Sequence, residues 1–174
     1  MNNFNLHTPT RILFGQGAIS DLRAQIPADA RVLITWGGGS VKSTGVLDQV
    51  FSALDGFEVL EFGGIEPNPS YETLMKAVDI ARREQVTFLL AVGGGSVLDG
   101  TKFIAAAAHY PQDIDPWNIL ETSGSEINSA IPMGSVLTLP ATGSESNKGA
   151  VISRRATGDK PAFHSPFVQP LFAV

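Results

Sequence analysis

The sequence contains no cysteine. Disulfides, thiolate metal sites and cysteine nucleophiles are thereby excluded. Histidine is almost as scarce: His7, His109 and His164 are the only three, and they lie far apart. His7 belongs to an N-terminal segment, His109 to the end of a helical stretch where a cation suits the dipole, and His164 to a proline-flanked loop. So dispersed, they are not expected to build a metal site. Positive charge is in deficit, with 12 basic against 17 acidic side chains and a formal net charge of −5. No Lys/Arg cluster of the kind that tracks a polyanion occurs, so no nucleic-acid partner is expected. No apolar run approaches the roughly 18 residues of a membrane span. The opening Met1-Asn2-Asn3-Phe4 lacks the basic and apolar regions of a leader. These absences imply a soluble, cytoplasmic chain with no membrane partner. What remains is ordinary globular composition, 43% hydrophobic and 17% charged over 174 residues, enough for one buried core.

Short apolar runs alternate with helical patterns. Strands are expected at Arg31–Trp36, Phe57–Phe62, Thr87–Val92, Ser135–Leu139 and Pro170–Val174, with a shorter one at Arg11–Phe14. Val32-Leu33-Ile34, Phe88 through Val92 and Val136-Leu137 are apolar without polar alternation, the mark of strands covered on both faces. Helical spacing runs over Ser40–Leu54, with Val41, Val46, Leu47, Val50, Phe51 and Leu54 on one side. A second helix is expected over Ser70–Arg83, released by Pro67-Asn68-Pro69 and turning Leu74, Val78 and Ala81 inward. A third, Ser96–His109, is rich in alanine, which suits close packing on a sheet. The alternation predicts one α/β domain, Rossmann-like and doubly wound around a mostly parallel sheet.

One device occurs twice. Leu33-Ile34-Thr35-Trp36-Gly37-Gly38-Gly39-Ser40-Val41 echoes Leu89-Leu90-Ala91-Val92-Gly93-Gly94-Gly95-Ser96-Val97. Each reads as a buried strand, a glycine turn and a helix start. Glycines there let the main chain turn sharply and approach a ligand, while the helix that follows offers free N–H groups and a positive dipole end. Gly93-Gly94-Gly95-Ser96 therefore reads as a pyrophosphate cradle, although G-x-G-x-x-G is absent. The plainer alternative is a strand-to-helix turn capped by Ser96, with Asp99 completing a capping box. A β-branched residue at Gly95 would fill the phosphate's space and resist a positive φ, so Gly95→Val is expected to abolish binding. Thr138 through Asn147 is dense in hydroxyl and amide groups and by itself reads as a polar loop with a helix cap. Gly158-Asp159-Lys160 by itself reads as a hairpin turn.

Together these segments resemble the iron-containing (group III) alcohol dehydrogenases, in their NADP-dependent, butanol-dehydrogenase-like branch. The resemblance rests on Phe14-Gly15-Gln16-Gly17-Ala18, Gly37 to Ser40, Glu66-Pro67-Asn68-Pro69, Gly93 to Asp99, Thr138 through Asn147, and Lys160, in order along nearly the whole chain. It implies an aldehyde reductase converting aldehydes to alcohols with NADP(H). By the same resemblance Gly93, Gly94, Gly95 and Ser96 hold the pyrophosphate. Asp99, Thr138, Thr142, Asn147 and Lys160 border the nicotinamide ribose, and Asn68 touches the adenosine side. Gly37, Gly38, Gly39 and Ser40 sit by the adenine ribose. NAD-specific relatives carry an Asp in that first loop; here Gly38 and Ser40 stand there, which favours NADP(H).

The resemblance also implies a divalent metal, zinc or iron, bound by one Asp and three His of a following all-helical domain. None of the three histidines matches those positions. Leu171-Phe172-Ala173-Val174 falls in the strand before the first ligand, so the chain reads as the cofactor half of the enzyme, truncated and inactive alone. Ending on an apolar run, it is expected to expose a sheet edge. Homodimers joined through Met1–Phe14 are also implied. A stand-alone nucleotide-binding module is the alternative from another class. A lyase of the dehydroquinate synthase type, sharing the fold and the Gly-Gly-Gly-Ser-x-x-Asp turn, matches less well because of Thr138 to Asn147.

Overall fold

The computed structural model describes residues 7–174. Two apolar strands, β2 (Arg31–Trp36) and β4 (Phe88–Gly94), lie side by side at the centre. Side chains alternate across a strand. Accordingly Val32, Ile34, Phe88, Leu90 and Val92 enter one buried cluster, while Leu33, Leu89 and Ala91 enter another. The first cluster is roofed by a 3-10 helix over Ala18–Ala24 and by helices α1 (Ser40–Ser43) and α2 (Val46–Ala53). The second is roofed by α3 (Tyr71–Arg83), α4 (Gly95–His109) and α5 (Asn118–Glu121). Burial of both faces is what uninterrupted apolar strands require.

The sheet has six strands in the order β1-β8-β5-β4-β2-β3, every neighbour parallel. Here β1 is Arg11–Ile12, β3 Glu58–Phe62, β5 Met133–Leu139 and β8 Phe172–Ala173. The chain moves outward from β2 to β3, then crosses back to β4 on the other side of β2. The doubly wound, mostly parallel α/β fold is thus borne out, with its direction reversing between β2 and β4. At the β3 edge Glu58 pairs with Arg31 of β2, and Glu61 also points to solvent. Among the described residues no helix is long and apolar enough to cross a membrane.

Four expectations are corrected. The stretch Ser40–Leu54 is two helices, because Gly45 adopts φ +72° and breaks the hydrogen-bond ladder between them; Phe51 turns outward. Phe172 and Ala173 form no exposed edge: β8 is inserted between β5 and β1 and is almost wholly buried. Gly134 makes room for it, since a Cβ there would stand 2.2 Å from the Phe172 ring. His164 is in a strand, not a loop: β6 (Gly149–Val151) and β7 (Ala162–His164) pair antiparallel as a separate ribbon around the Gly158 turn. Finally, α4 has no Ser96 cap, as described below. Of Met1–Phe14, the part Met1–Leu6 lies outside the described residues.

The α3 boundaries follow the sequence closely. Ser70 is the N-cap, its hydroxyl accepting from Thr73 N–H, and Gln85 in the left-handed region ends the run. Arg82 of α3 donates to the carbonyls of Ala107, Ala108 and Tyr110, satisfying the last turn of α4. α4 itself leaves β4 without a loop. A Cβ on Gly93 would lie 2.7 Å from a Val97 methyl, and one on Gly100 would lie 2.8 Å from Leu74. Gly93→Ala is therefore expected to destabilise the chain by about 1–3 kcal/mol through overpacking against a β-branched neighbour. Adding Val97→Ala should return part of that loss; denaturant midpoints of the two variants check it.

Candidate functional site

The switch between β2 and β4 brings both glycine turns to the C-terminal edge of the sheet, where open α/β sheets bind ligands. Gly37 and Gly93 face one another across Val97: a Cβ on either would meet a Val97 methyl, at 3.4 and 2.7 Å. The two turns are therefore held together by one side chain of α4. Gly39 sits at φ +105° and requires glycine, whereas Gly38 has an ordinary φ and nothing within 4 Å of a Cβ. Gly95 does not adopt the positive φ expected of it; its constraint is space, since a Cβ would stand 3.3 Å from Thr142 Oγ1.

Gly94, not Ser96, is the N-cap of α4, and no side chain caps the first turn. Its leading N–H groups are left without a side-chain partner at the positive end of a 15-residue helix. The Ser96 hydroxyl accepts from Asn68 N–H at 3.4 Å instead. Asn68, held in the left-handed region, accepts from Lys160 Nζ at 2.6 Å. Thus Asn68, Ser96 and Lys160 meet beside the helix start, although the resemblance assigns Asn68 and Lys160 to opposite ends of a ligand.

A cleft of about 790 Å³ runs over the strand ends, lined in part by Ser40, Thr44, Gly94, Thr138 and Leu139. Where Gly95 meets Thr142 the surface continues into a second hollow of about 460 Å³, lined by Asp99, Thr142, Ser144, Asn147 and His164 among others. The residues singled out by sequence are therefore gathered along one edge. Thr138, Thr142 and Asn147 are exposed there, and Gly94 to Ser96 are half-buried.

Asp99 does not close a capping box. Its Oδ1 accepts from the Ser144 hydroxyl at 2.7 Å and its Oδ2 from Val151 N–H at 3.0 Å, so it ties α4 to the polar loop and to β6. One turn further, Lys102 is fully buried and donates to Ser144 Oγ, Asn147 Oδ1 and the Gly149 carbonyl at 2.8–2.9 Å. Sequence reasoning missed Lys102. The signal was there: a lone lysine in a helix that is otherwise apolar or small all round, three residues after Asp99. Burial pushes its ammonium down from the ordinary 10.5 to about 8, against the raising pull of Asp99 and Glu145.

The ribbon that carries Lys160 is clamped from outside. Arg154 lies over the Tyr71 and Trp117 rings at 5.3 and 4.9 Å and reaches Asp115 at 3.6 Å. Tyr71 donates to the same Asp115, and burial together with that carboxylate pushes the phenol above its ordinary range. Glu72 accepts from the N–H groups of Arg155 and Ala156. Among the described residues no group of three or more His, Asp or Glu side chains is placed to hold a metal ion, so the metal that the resemblance implies does not fit these residues.

The Lys102 shift makes stability depend on pH. Between about 8 and 10.5 the unfolded chain binds more protons than the folded one, so stability rises with pH across that interval. Tyr71, shifted the other way, opposes this only above about pH 10. A higher denaturant midpoint at pH 9.5 than at pH 7.5 is expected, and Lys102→Met should erase the gain.

The iron-containing alcohol dehydrogenase model matches residues 9–174. The NADPH-dependent aldehyde reductase YqhD of Escherichia coli (strain K12) is 79% identical over 174 residues, all of this chain and 45% of that protein. A probable NADH-dependent butanol dehydrogenase 1 of Bacillus subtilis (strain 168) is 45% identical over 177 residues, again all of this chain and 45% of the relative. The crystal structure of E. coli K-12 YqhD has a TM-score of 0.97 at 79% identity, covering 99% of this chain and 44% of that one. The chain thus spans about half the length of the curated relatives it matches. With a family model matching nearly end to end and the same fold in a solved relative, the chain belongs to the iron-containing alcohol dehydrogenase family.

Proposed function

We propose that this chain is the NADP(H)-binding domain, residues 1–174, of an aldehyde reductase, and that an all-helical domain following it supplies the metal and the rest of the substrate pocket. The observation that carries this reading is the uncapped start of α4, set between two glycine turns at the sheet's switch point. Those free N–H groups suit a pyrophosphate. In the proposed pose Gly93 to Ser96 hold it, with the Asn68–Lys160 pair at its flank. Gly37 to Ser40 face the adenine ribose. Asp99, Thr138, Thr142 and Asn147 border the nicotinamide ribose, and Lys160 reaches towards it.

When bound, the nicotinamide supplies the hydride that reduces the aldehyde carbon. The chain's own residues bind and orient it. Thr138 at the end of β5 offers a hydroxyl to the first cleft, Thr142 and Asn147 offer hydroxyl and amide groups to the second hollow, and the Asp99–Ser144–Lys102 chain keeps the loop that bears the latter two in place. Phe14 and Leu139, both largely exposed at the rim of the cleft, are apolar surface that a covering domain would bury. The name of the E. coli relative, NADPH-dependent, supports NADP(H), while the B. subtilis relative is named a probable NADH-dependent enzyme.

Gly38 decides this experimentally. Its φ is ordinary and a Cβ meets nothing, so Gly38→Asp changes charge without straining the loop. A carboxylate there repels a 2′-phosphate and accepts from a free 2′-hydroxyl. NADPH affinity of the chain should fall by roughly tenfold or more, about 1.4 kcal/mol, while NADH affinity holds or rises. Titration by nicotinamide fluorescence reads both. Equal NADPH binding by the variant would place the 2′-phosphate elsewhere, and a wild-type chain that binds neither nucleotide would refute the domain's proposed role.

A further inference from the structure

Lys102 is the only charged side chain that is fully buried among the described residues. An ammonium removed from water is strongly disfavoured unless its donors are met. Here they are: all three hydrogens are spent, on Ser144 Oγ, Asn147 Oδ1 and the Gly149 carbonyl. Lys102 therefore has no donor left for a ligand and does not touch one. Its effect falls on Asn147. The Asn147 carbonyl oxygen also accepts from Gly149 N–H at 2.9 Å, so both of its lone pairs are taken. What the amide has left is its NH₂, whose one contact within the chain is a long 3.5 Å approach to the Thr142 carbonyl, at the wall of the second hollow. Ser144 is fixed by the same cation, since it accepts from Lys102 and must then donate to Asp99.

We propose that Lys102 is a positioning residue for the cofactor: by occupying the Asn147 carbonyl it presents Asn147 to the ligand as a hydrogen-bond donor only, matched to acceptor oxygens on the nicotinamide half. The inference rests on the nucleotide-binding reading above. It makes Asn147 selective in polarity, because an amide free to flip offers either an acceptor or a donor, whereas this one offers N–H alone. Replacement by methionine keeps the stem's volume and deletes the ammonium, leaving Gly149 N–H as the one donor that still holds the Asn147 carbonyl and opening its second lone pair.

The test titrates the 174-residue chain with NADPH and with 2′,5′-ADP, which carries the adenosine phosphates but no nicotinamide half. Wild type, Lys102→Met, Asn147→Ala and the double variant are compared. Each single variant should weaken NADPH by about tenfold, and the double variant by no more than either, because both remove the same hydrogen bond. Binding of 2′,5′-ADP should stay at the wild-type value, which also shows that the variants are folded. Unchanged NADPH affinity in Lys102→Met overturns the proposal, as does a parallel loss of both nucleotides. The side-chain amide resonances of Asn147, recorded by ¹⁵N NMR without nucleotide, separate this idea from the one beneath it. If they shift or broaden in Lys102→Met while the wild-type chain binds neither nucleotide, the cofactor reading fails and the control of Asn147 by Lys102 is upheld. If they do not change, the proposal is overturned.

Discussion

Everything in this structure is arranged around the close burial of α4. A helix packed on all sides must be narrow, and this one is: Gly100, Thr101 and Ala105 to Ala107 leave little side chain between its axis and its neighbours. The sheet lies against one flank, α3 against another, and the β6–β7 ribbon and polar loop against a third. Because the helix starts where β4 stops, its position is fixed by the strand, and Val97 then fixes the two glycine turns against each other. The geometry of the cleft is a by-product of that packing.

The polar groups of α4 are few, and they tie the helix to the sheet on one side and to β6 and the polar loop on the other. Thr101 donates to the Val97 carbonyl at 2.7 Å and accepts from the Thr35 hydroxyl of β2 at 2.6 Å within the apolar core. Asp99 and Lys102 turn the other way, to β6 and to the loop around Ser144. Such groups are costly in an apolar setting if any partner is lost. They therefore specify how the ribbon and loop seat on the helix far more sharply than alanine packing does. Apolar contact sets that these elements adhere; the hydrogen bonds set where.

Much of this was legible in the sequence, and the boundary of legibility has physical causes. Strands β2 and β4 announced themselves as unbroken apolar runs because both of their faces are covered. The α3 start was readable from Pro69-Ser70, where a helix is first forbidden and then capped. The repeated glycine turn gave the edge of the sheet on which the site lies. Other features depend on contacts distant in sequence. Gly45 interrupts a stretch whose apolar spacing is helical throughout, so only the backbone angle shows the break. The ribbon strands are three residues long, too short for alternation to register. Phe172 reads as a terminal apolar run, and only Gly134 and the parallel pairing to β1 and β5 reveal it as interior. Lys102 was overlooked because a lysine is ordinarily a solvated residue; what makes it otherwise is Asn147 and Gly149, more than forty positions away.

The edges of the sheet differ in how they meet other molecules. β3 forms one border, with its outer row of main-chain N–H and C=O groups unpaired by any strand of the described chain. An edge of that kind is a template on which a second molecule can lay a strand. Glu58 has its charge balanced by Arg31, but Glu61, on the same short strand, has no such counterion in the sheet. A second copy laid on this edge would bring further acidic side chains alongside an exposed and uncompensated Glu61. The consequence is colloidal: an exposed carboxylate on the border strand works against sheet extension by a second molecule.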